Sequence, residues 1–142
     1  ALYFEFGYSR GILVDNWKYI AVRFPDSLTQ QMKTGETDRA FALRGKHTTE
    51  PCFARYPHYF DADQLYHLEK DPAEQVNLAH DPAYQEKLED MKDMLWKSLQ
   101  SFDHPFPRVA DTFYTTAAYD SLLSRAREVD MTQFYWYRQG CY

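Results

Sequence analysis

The sequence predicts an α+β fold, in which a small four-stranded antiparallel sheet is covered by an amphipathic helix. Short runs of aromatic and β-branched residues, which are typical of strands, occur in the first 24 residues and again at 64–68. Between residues 81 and 102, apolar residues recur every three or four positions, which is the period of one helix face. The length of 142 residues fits one domain rather than several.

The first three strands are predicted from the turns that separate them. Leu2–Phe6 is the first strand, and it ends at Gly7, where the backbone can turn. Residues 10–14 and 17–24 are the second and third strands. Asp15-Asn16 between them is a two-residue turn signal, so we expect an antiparallel hairpin at this point.

The fourth strand and the covering helix are predicted from residues 64–102. The strand, 64–68, stops before Asp71-Pro72, because a proline restricts the residue before it to extended conformations. Asp81 is a suitable N-cap and Pro82 a suitable first helical residue, which predicts a helix from this point. The apolar face of this helix carries Tyr84, Leu88, Met91, Leu95, Leu99 and Phe102.

Two segments carry weaker patterns. Residues 25–63 show no sustained period, so we expect a long loop insertion within a subdomain spanning 1–103, with a short helical turn near 37–45. Residues 104–142 are expected to form a C-terminal extension with one helix at about 116–129 and an aromatic run at 134–137. The predicted buried face of that helix consists of Tyr119, Leu122, Leu123, Ala126 and Val129.

Charge and composition argue against several functional classes. The formal net charge is −5, and the acidic excess lies in residues 61–103, which argues against a nucleic-acid-binding protein. No apolar run approaches the roughly 20 residues of a membrane-spanning helix, and no leader peptide is recognisable. The 10 Phe, 3 Trp and 12 Tyr residues together outnumber Leu, Ile and Val, which predicts a thin core for a self-contained domain.

The sequence contains no complete set of catalytic residues. Its five histidines lack the spacing of metal ligands, and the acidic residues at 86–93 are expected to form a solvated helix face. Cys52 lies between His47 and His58, which allows two interpretations. It is either a nucleophile with a histidine partner or a packed side chain in an aromatic loop. Cys52 and Cys141 could form one disulfide at most.

Glu5 is a carboxylate within an aromatic strand, directly before a glycine-containing turn. A partly buried carboxylate needs a partner, and Arg10, Lys18 or Arg23 on the adjacent strands could supply the positive charge. One interpretation is therefore a cross-strand ion pair. The alternative is contact with a ligand, because loops that follow strands often carry functional residues.

Two stretches of the chain carry longer patterns. The first, residues 3–20, reads YFEFGYSRGILVDNWKYI and combines an Arg-containing strand, a turn and a W-K-Y-I segment. The second, residues 64–79, contains the pattern L-Y-x-L-x-x-D-P-x-E-x-x-N-L. Together they resemble the C-terminal subdomain of type I sulfatases, which belong to the alkaline phosphatase superfamily. The similarity extends over residues 1–24 and 64–102.

The resemblance implies a sulfuric ester hydrolase whose catalytic residues are not on this chain. In this family the nucleophile is a formylglycine made from Cys or Ser within C-x-P-x-R or its Ser form. The formylglycine and the Ca²⁺ site belong to a large N-terminal α/β catalytic domain. Cys52 does not fit the motif, because Ala54 replaces the Pro and Tyr56 replaces the Arg. The 142-residue chain is therefore expected to be inactive alone.

The resemblance also implies a partner and a binding surface. We expect the chain to pack on a sulfatase catalytic domain, in the same polypeptide or in a complementing chain, and a homo-oligomer is a further option. The full-length protein would be exported if it follows its family. Because the family's small subdomain borders the substrate pocket, the candidate substrate-binding residues are Glu5, Tyr8, Arg10, His47 and His58. Arg10 is suited to bidentate hydrogen bonding of a sulfate or carboxylate.

Three other functional interpretations stay open at the level of sequence. A phosphodiester or phosphonate monoester hydrolase of the same superfamily would carry a similar C-terminal sheet. A non-catalytic module that binds sulfated or acidic carbohydrates would stack the aromatic residues of 53–60 on sugar rings. A purely structural module would use the aromatic run at 134–137 to dock on a neighbour.

Overall fold

The computed structural model describes residues 1–36, 55–103 and 106–138, with the side chains of the last helix described as far as residue 128. The chain divides into two compact units. Unit 1 comprises residues 1–23 and 61–110, and unit 2 comprises residues 24–60 and 111–142. The described α-helices are α1 (Asp26–Thr34), α2 (Gln85–Leu99) and α3 (Ala117–Arg138). The predicted turn near 37–45 lies outside the described residues, as do His47 and Cys52.

Unit 1 contains the predicted four-stranded antiparallel sheet, and its strand order follows the chain. The strands are β1 (Leu2–Phe6), β2 (Ser9–Val14), β3 (Trp17–Val22) and β4 (Asp63–His67). The α+β prediction is therefore confirmed. Strand β3 ends two residues earlier than predicted, and β2 and β4 begin one residue earlier.

Two-residue turns close both hairpins of the sheet. Asp15 and Asn16 both have positive φ, 47° and 66°, as a type I′ turn requires. In the first hairpin, Gly7 has a φ of 53°, and Phe6 pairs directly with Ser9. These turns fix the register, so that each strand presents one defined face to the core.

Helix α2 covers one face of the sheet. Asp81 first caps a 3₁₀ turn, Pro82–Tyr84, by accepting a hydrogen bond of 2.9 Å from the Ala83 N–H. The helix that was predicted from Asp81 therefore becomes α-helical only at Gln85. Its buried side chains are Leu88, Met91, Leu95 and Leu99, and they form one cluster with the strand residues Ile12, Tyr19, Ala21 and Leu65.

The other face of the sheet has a close contact between β1 and β2. The Phe4 ring lies over Gly11, its partner in the β-ladder, in the space that a Cβ atom would occupy. The Lys18 ammonium lies 5.3 Å from the centroid of the same ring. Gly11 therefore allows an aromatic side chain to lie flat across the neighbouring strand.

Unit 2 begins with a helix where the sequence predicted a long loop over 25–63. In α1 the Thr29 N–H donates to the Pro25 carbonyl at 2.9 Å, and Gly35, with a φ of 73°, ends the helix in the left-handed conformation. Only Thr29 and Met32 of α1 are buried. Two buried residues, of which Thr29 is polar, are too few for an apolar period to be recognised in the sequence.

Helix α3 is longer than predicted, since it extends to Arg138 rather than ending near residue 129. No glycine or proline occurs between residues 130 and 138 to stop it. Its buried residues within the described side chains are Tyr119, Leu122, Leu123 and Ala126, as predicted. The side chains of Val129 and of the aromatic run at 134–137 lie outside the described part.

Candidate functional site

The first hairpin of unit 1 holds three of the sequence-predicted site residues. Glu5 on β1 faces Arg10 on β2, and Tyr8 lies in the turn between the strands. Arg10 Nε lies 3.2 Å from Glu5 Oε2, which is the cross-strand ion pair that was one of the two interpretations of Glu5. The Glu5 side chain is 58% exposed, so this pair is at the surface and partly screened by solvent.

Most of the Arg10 donors are already engaged within the hairpin. Nη1 donates to the carbonyls of Gly7 at 3.0 Å and Ser9 at 2.9 Å, and the guanidinium lies 5.3 Å from the centroid of the Phe106 ring. Among the described residues, Nη2 has no hydrogen-bond acceptor. The Nη2 donors are therefore the ones left for an oxyanion, whereas a bidentate contact has to displace Glu5 or a backbone carbonyl.

Tyr3 holds the Glu5 carboxylate in place. Its hydroxyl donates to Glu5 Oε2 at 2.9 Å, and its ring stacks on Phe102 with centroids 5.2 Å apart. Burial raises the pKa of Tyr3, the hydrogen bond and charge of Glu5 raise it further, and Arg10 lowers it. Tyr3 is therefore a hydrogen-bond donor to Glu5 at neutral pH.

The remaining candidates are not part of this hairpin. His58 belongs to unit 2, where it is half-buried in the turn at 57–60. His47 lies outside the described residues. Tyr8 has an exposed side chain, and its carbonyl accepts a hydrogen bond of 2.9 Å from the Arg23 N–H. Of the five candidates, the structure brings together Glu5, Tyr8 and Arg10.

The three cations that the sequence offered as partners of Glu5 each pair with a different carboxylate. Arg10 pairs with Glu5, Lys18 lies 2.7 Å from Glu74, and Arg23 lies 2.8 Å from Asp63. Only the first pair is local in sequence. The other two pairs join residues that are 56 and 40 positions apart in the sequence. No local pattern could reveal them.

Arg23 forms an extensive set of polar contacts in the described part of unit 1. It is only 6% exposed, and its guanidinium donates to the carbonyls of Ala62, Pro107 and Arg108 as well as to Asp63. Sequence reasoning did not identify it as a central residue. A buried arginine is stable only when its donors are satisfied, and these acceptors satisfy them.

Asp63 is held ionised beside Arg23. Burial by itself raises the pKa of Asp63, but the charge of Arg23, hydrogen bonds from Tyr19 and Arg23, and the charge of Lys92 together lower it. Burial is also the largest cause of the raised pKa of Tyr19, which donates to Asp63 Oδ1 at 2.6 Å. At neutral pH these groups do not exchange protons, so their role is to hold β3 against β4.

Asn77 forms hydrogen bonds with backbone groups on the outer edge of β4. Its Oδ1 accepts hydrogen bonds from the Leu65 N–H at 2.9 Å and the Ala79 N–H at 3.0 Å. Its Nδ2 donates to the Asp63 carbonyl at 2.9 Å and to Asp61 Oδ2 at 3.0 Å. One side chain thus both caps the 3₁₀ turn Leu78–His80 and covers part of the free edge of β4.

Within the described ranges, no group of three or more His, Cys, Asp and Glu residues is arranged to hold a metal ion. The helices of the same ranges are all too short or too polar to cross a bilayer. No protein-family model matches the sequence, and no curated protein is a significant match to it.

Proposed function

We propose that this chain is the C-terminal part of a sulfatase, and that unit 1 packs on a catalytic domain and borders its substrate pocket. The formylglycine and Ca²⁺ of such an enzyme would reside in the catalytic domain, where they would supply the nucleophile and charge stabilisation. The residues of this chain would contribute binding and orientation of the sulfate ester.

The observation that supports the proposal is a contact between the two sulfatase-like stretches. Lys18 belongs to the W-K-Y-I segment, and Glu74 belongs to the D-P-x-E-x-x-N-L segment. The Lys18 Nζ donates to both carboxylate oxygens of Glu74, at 2.7 and 2.8 Å. Residues that form the family-like pattern are thus the ones that join the two segments.

Two further residues of the same pattern have defined contacts in unit 1. Asp71 Oδ2 accepts a hydrogen bond of 2.8 Å from the Val76 N–H, which shapes the connection after β4. Asn77 bonds to the edge of β4 and caps the following 3₁₀ turn. These residues of the pattern therefore stabilise the connection that follows β4.

Within the proposed enzyme, the first hairpin would present Arg10 to the substrate. The Nη2 donors, which no described residue uses, are suited to a single sulfate oxygen, and Tyr8 in the adjoining turn adds an exposed aromatic side chain. Glu5 would then position the Arg10 guanidinium rather than touch the substrate. Arg10 is accordingly a substrate-binding candidate and Glu5 a positioning residue.

The test is an assay of the complete polypeptide that the gene encodes, with the 142-residue chain alone as the comparison. We expect the complete polypeptide to hydrolyse a chromogenic aryl sulfate faster than bis(p-nitrophenyl) phosphate, and mass spectrometry to detect formylglycine. The chain alone should give no turnover. Turnover by the chain alone, or a preference for the phosphodiester, would overturn the proposal.

The role of Arg10 is tested separately in the complete polypeptide. We expect Arg10→Gln to raise KM for a sulfated substrate with little change in kcat, because the hydrogen bond to the sulfate is lost both before and during reaction. Lys97→Gln removes one exposed positive charge from α2 and is the matched control. Equal effects of the two substitutions would contradict a specific role for Arg10.

A further inference from the structure

The two edges of the sheet in unit 1 differ in whether their outward-pointing backbone groups are hydrogen-bonded. At the β4 edge, Asn77 accepts the outward-pointing Leu65 N–H. At the other edge, β1 pairs with β2 alone among the described strands. Strand β1 also carries two highly exposed apolar side chains, Leu2 at 60% and Phe6 at 64%. An edge of this kind is a template for pairing with another strand.

The register of the first hairpin determines which backbone groups are available on β1. Phe6 and Ser9 close a two-residue turn, so they form a hydrogen-bonded pair. Such pairs alternate along an antiparallel ladder, and Phe4 and Leu2 therefore also bond to β2. The N–H and C=O groups of Tyr3 and Glu5 consequently point away from β2, toward the free edge.

We propose that the β1 edge pairs antiparallel with the β1 edge of a second copy of this chain, about a two-fold axis at Phe4. In this register Tyr3 of each copy faces Glu5 of the other, so all four outward-pointing groups of each strand are hydrogen-bonded. Leu2 of each copy then faces Phe6 of the other, and the four exposed apolar side chains cover one another.

Charge argues against one of the two neighbouring registers. Side-chain alternation allows only shifts of two residues between the paired strands, and a shift that moves the axis to Glu5 places two carboxylates directly opposite each other. Centring the axis on Phe4 instead brings each Glu5 beside a Tyr3, whose hydroxyl already donates to Glu5 at 2.9 Å within one copy. The β1 sequence is therefore complementary to itself in the arrangement centred on Phe4.

The expected dimer is weak, because two five-residue strands bury less than the roughly 1,200 Å² of a standard interface. We expect a dissociation constant between about 1 μM and 1 mM. Sedimentation velocity across this range of concentrations should show the wild-type chain changing from monomer to dimer. A wild-type chain that stays monomeric at about 1 mM overturns the proposal.

Two variants localise the contact. Phe6→Lys should keep the chain monomeric at every concentration, because it places a charge opposite Leu2 of the other copy. Val109→Lys makes the same exchange at a 72% exposed valine outside the sheet and should dimerise like the wild type. Circular dichroism verifies that both variants are folded. Equal dimerisation of Phe6→Lys and the wild type contradicts the proposed edge.

The register is tested by disulfide trapping in a chain in which Cys52 and Cys141 are replaced by Ser. A mixture of Leu2→Cys and Phe6→Cys chains should cross-link, because these positions face each other and their Cβ atoms lie at disulfide distance. Phe6→Cys alone should not cross-link, since its two copies lie on opposite sides of the axis. Cross-linking of Phe6→Cys alone, or no cross-linking of the mixture, overturns the register. The inference is independent of the proposed sulfatase function.

Discussion

The Lys18 ammonium binds both carboxylate oxygens of Glu74, at 2.7 and 2.8 Å, across an interval of 56 residues. Both side chains are about four-fifths buried, with exposed fractions of 21% and 19%. Glu74 reaches this position from a backbone with a φ of 55°, which a non-glycine residue adopts only at a cost. The pair fixes the connection after β4 onto the sheet.

Glu74→Ala should lower the free energy of unfolding by about 1–2 kcal/mol, because it removes a partly buried charged hydrogen bond and keeps the strained φ. Glu74→Gly loses the same contact but relieves the strain, so it should be less destabilising. Urea denaturation measures both. Asp90→Ala, an exposed carboxylate on α2, is the control and should change stability little. A glycine variant less stable than the alanine variant would contradict this account.

Asn77→Ala should cost about 2–3 kcal/mol, since it leaves the Leu65 N–H and the Asp63 carbonyl without their side-chain partner. Hydrogen exchange gives a local readout. The Leu65 amide should lose protection in the variant under native conditions, while the amide of Tyr19, inside the sheet, should lose much less. Unchanged protection of Leu65 would show that Asn77 does not cover this edge.

Because of Asp63, the free energy of unfolding of the chain should depend on pH in the acidic range. Its folded pKa lies below the unfolded value of about 3.9, so the stabilisation is fully present above the unfolded pKa. It is lost as the pH falls through the folded pKa. At neutral pH, Asp63→Asn should cost about 3 kcal/mol, because it leaves the buried Arg23 charge uncompensated.

The measurement is the free energy of unfolding of the wild type and of Asp63→Asn between neutral pH and about pH 2. The difference between the two proteins should be constant above about pH 5 and shrink as the wild-type carboxylate becomes protonated. Tyr19→Phe keeps the carboxylate and removes one hydrogen bond to it, so its difference from the wild type should be smaller. A difference that does not change with pH would exclude Asp63 as the titrating group.

The sheet could be predicted because the sequence signals that specify it, turn residues and side-chain alternation, lie within short stretches of the chain. Asp15-Asn16 specifies a two-residue turn by residue type, and the structure has both residues at positive φ. The alternation along β3 then places Tyr19 and Ala21 in the core under α2. The Glu5 and Arg10 pair follows from the register of the first hairpin, since the Gly7-Tyr8 turn brings these two positions opposite each other.

What could not be predicted depends on contacts between distant residues. Arg23 is buried only because Asp63 and the carbonyls near residue 107 surround it, and the alternation of β3 gives no sign of them. Helix α1 buries two side chains, too few for a recognisable period. Helix α3 runs past residue 129 because nothing stops it, whereas its predicted end rested on the last residue of the apolar face.

The junction between β3 and β4 has a consequence for how unit 1 folds. The Val22 N–H donates to the Ala62 carbonyl at 3.0 Å, and Arg23 binds the same short segment. The chain therefore leaves unit 1 after Arg23 and returns to it at Asp61, at points that one hydrogen bond joins. Forming the sheet requires the chain to close this loop of roughly 40 residues. Loop-closure entropy grows only with the logarithm of length, so doubling the length of the segment with flexible residues should cost only about 0.6 kcal/mol. Flexible insertions in this segment should therefore cost the sheet little, whereas deletions that reach α1 would remove buried side chains of unit 2.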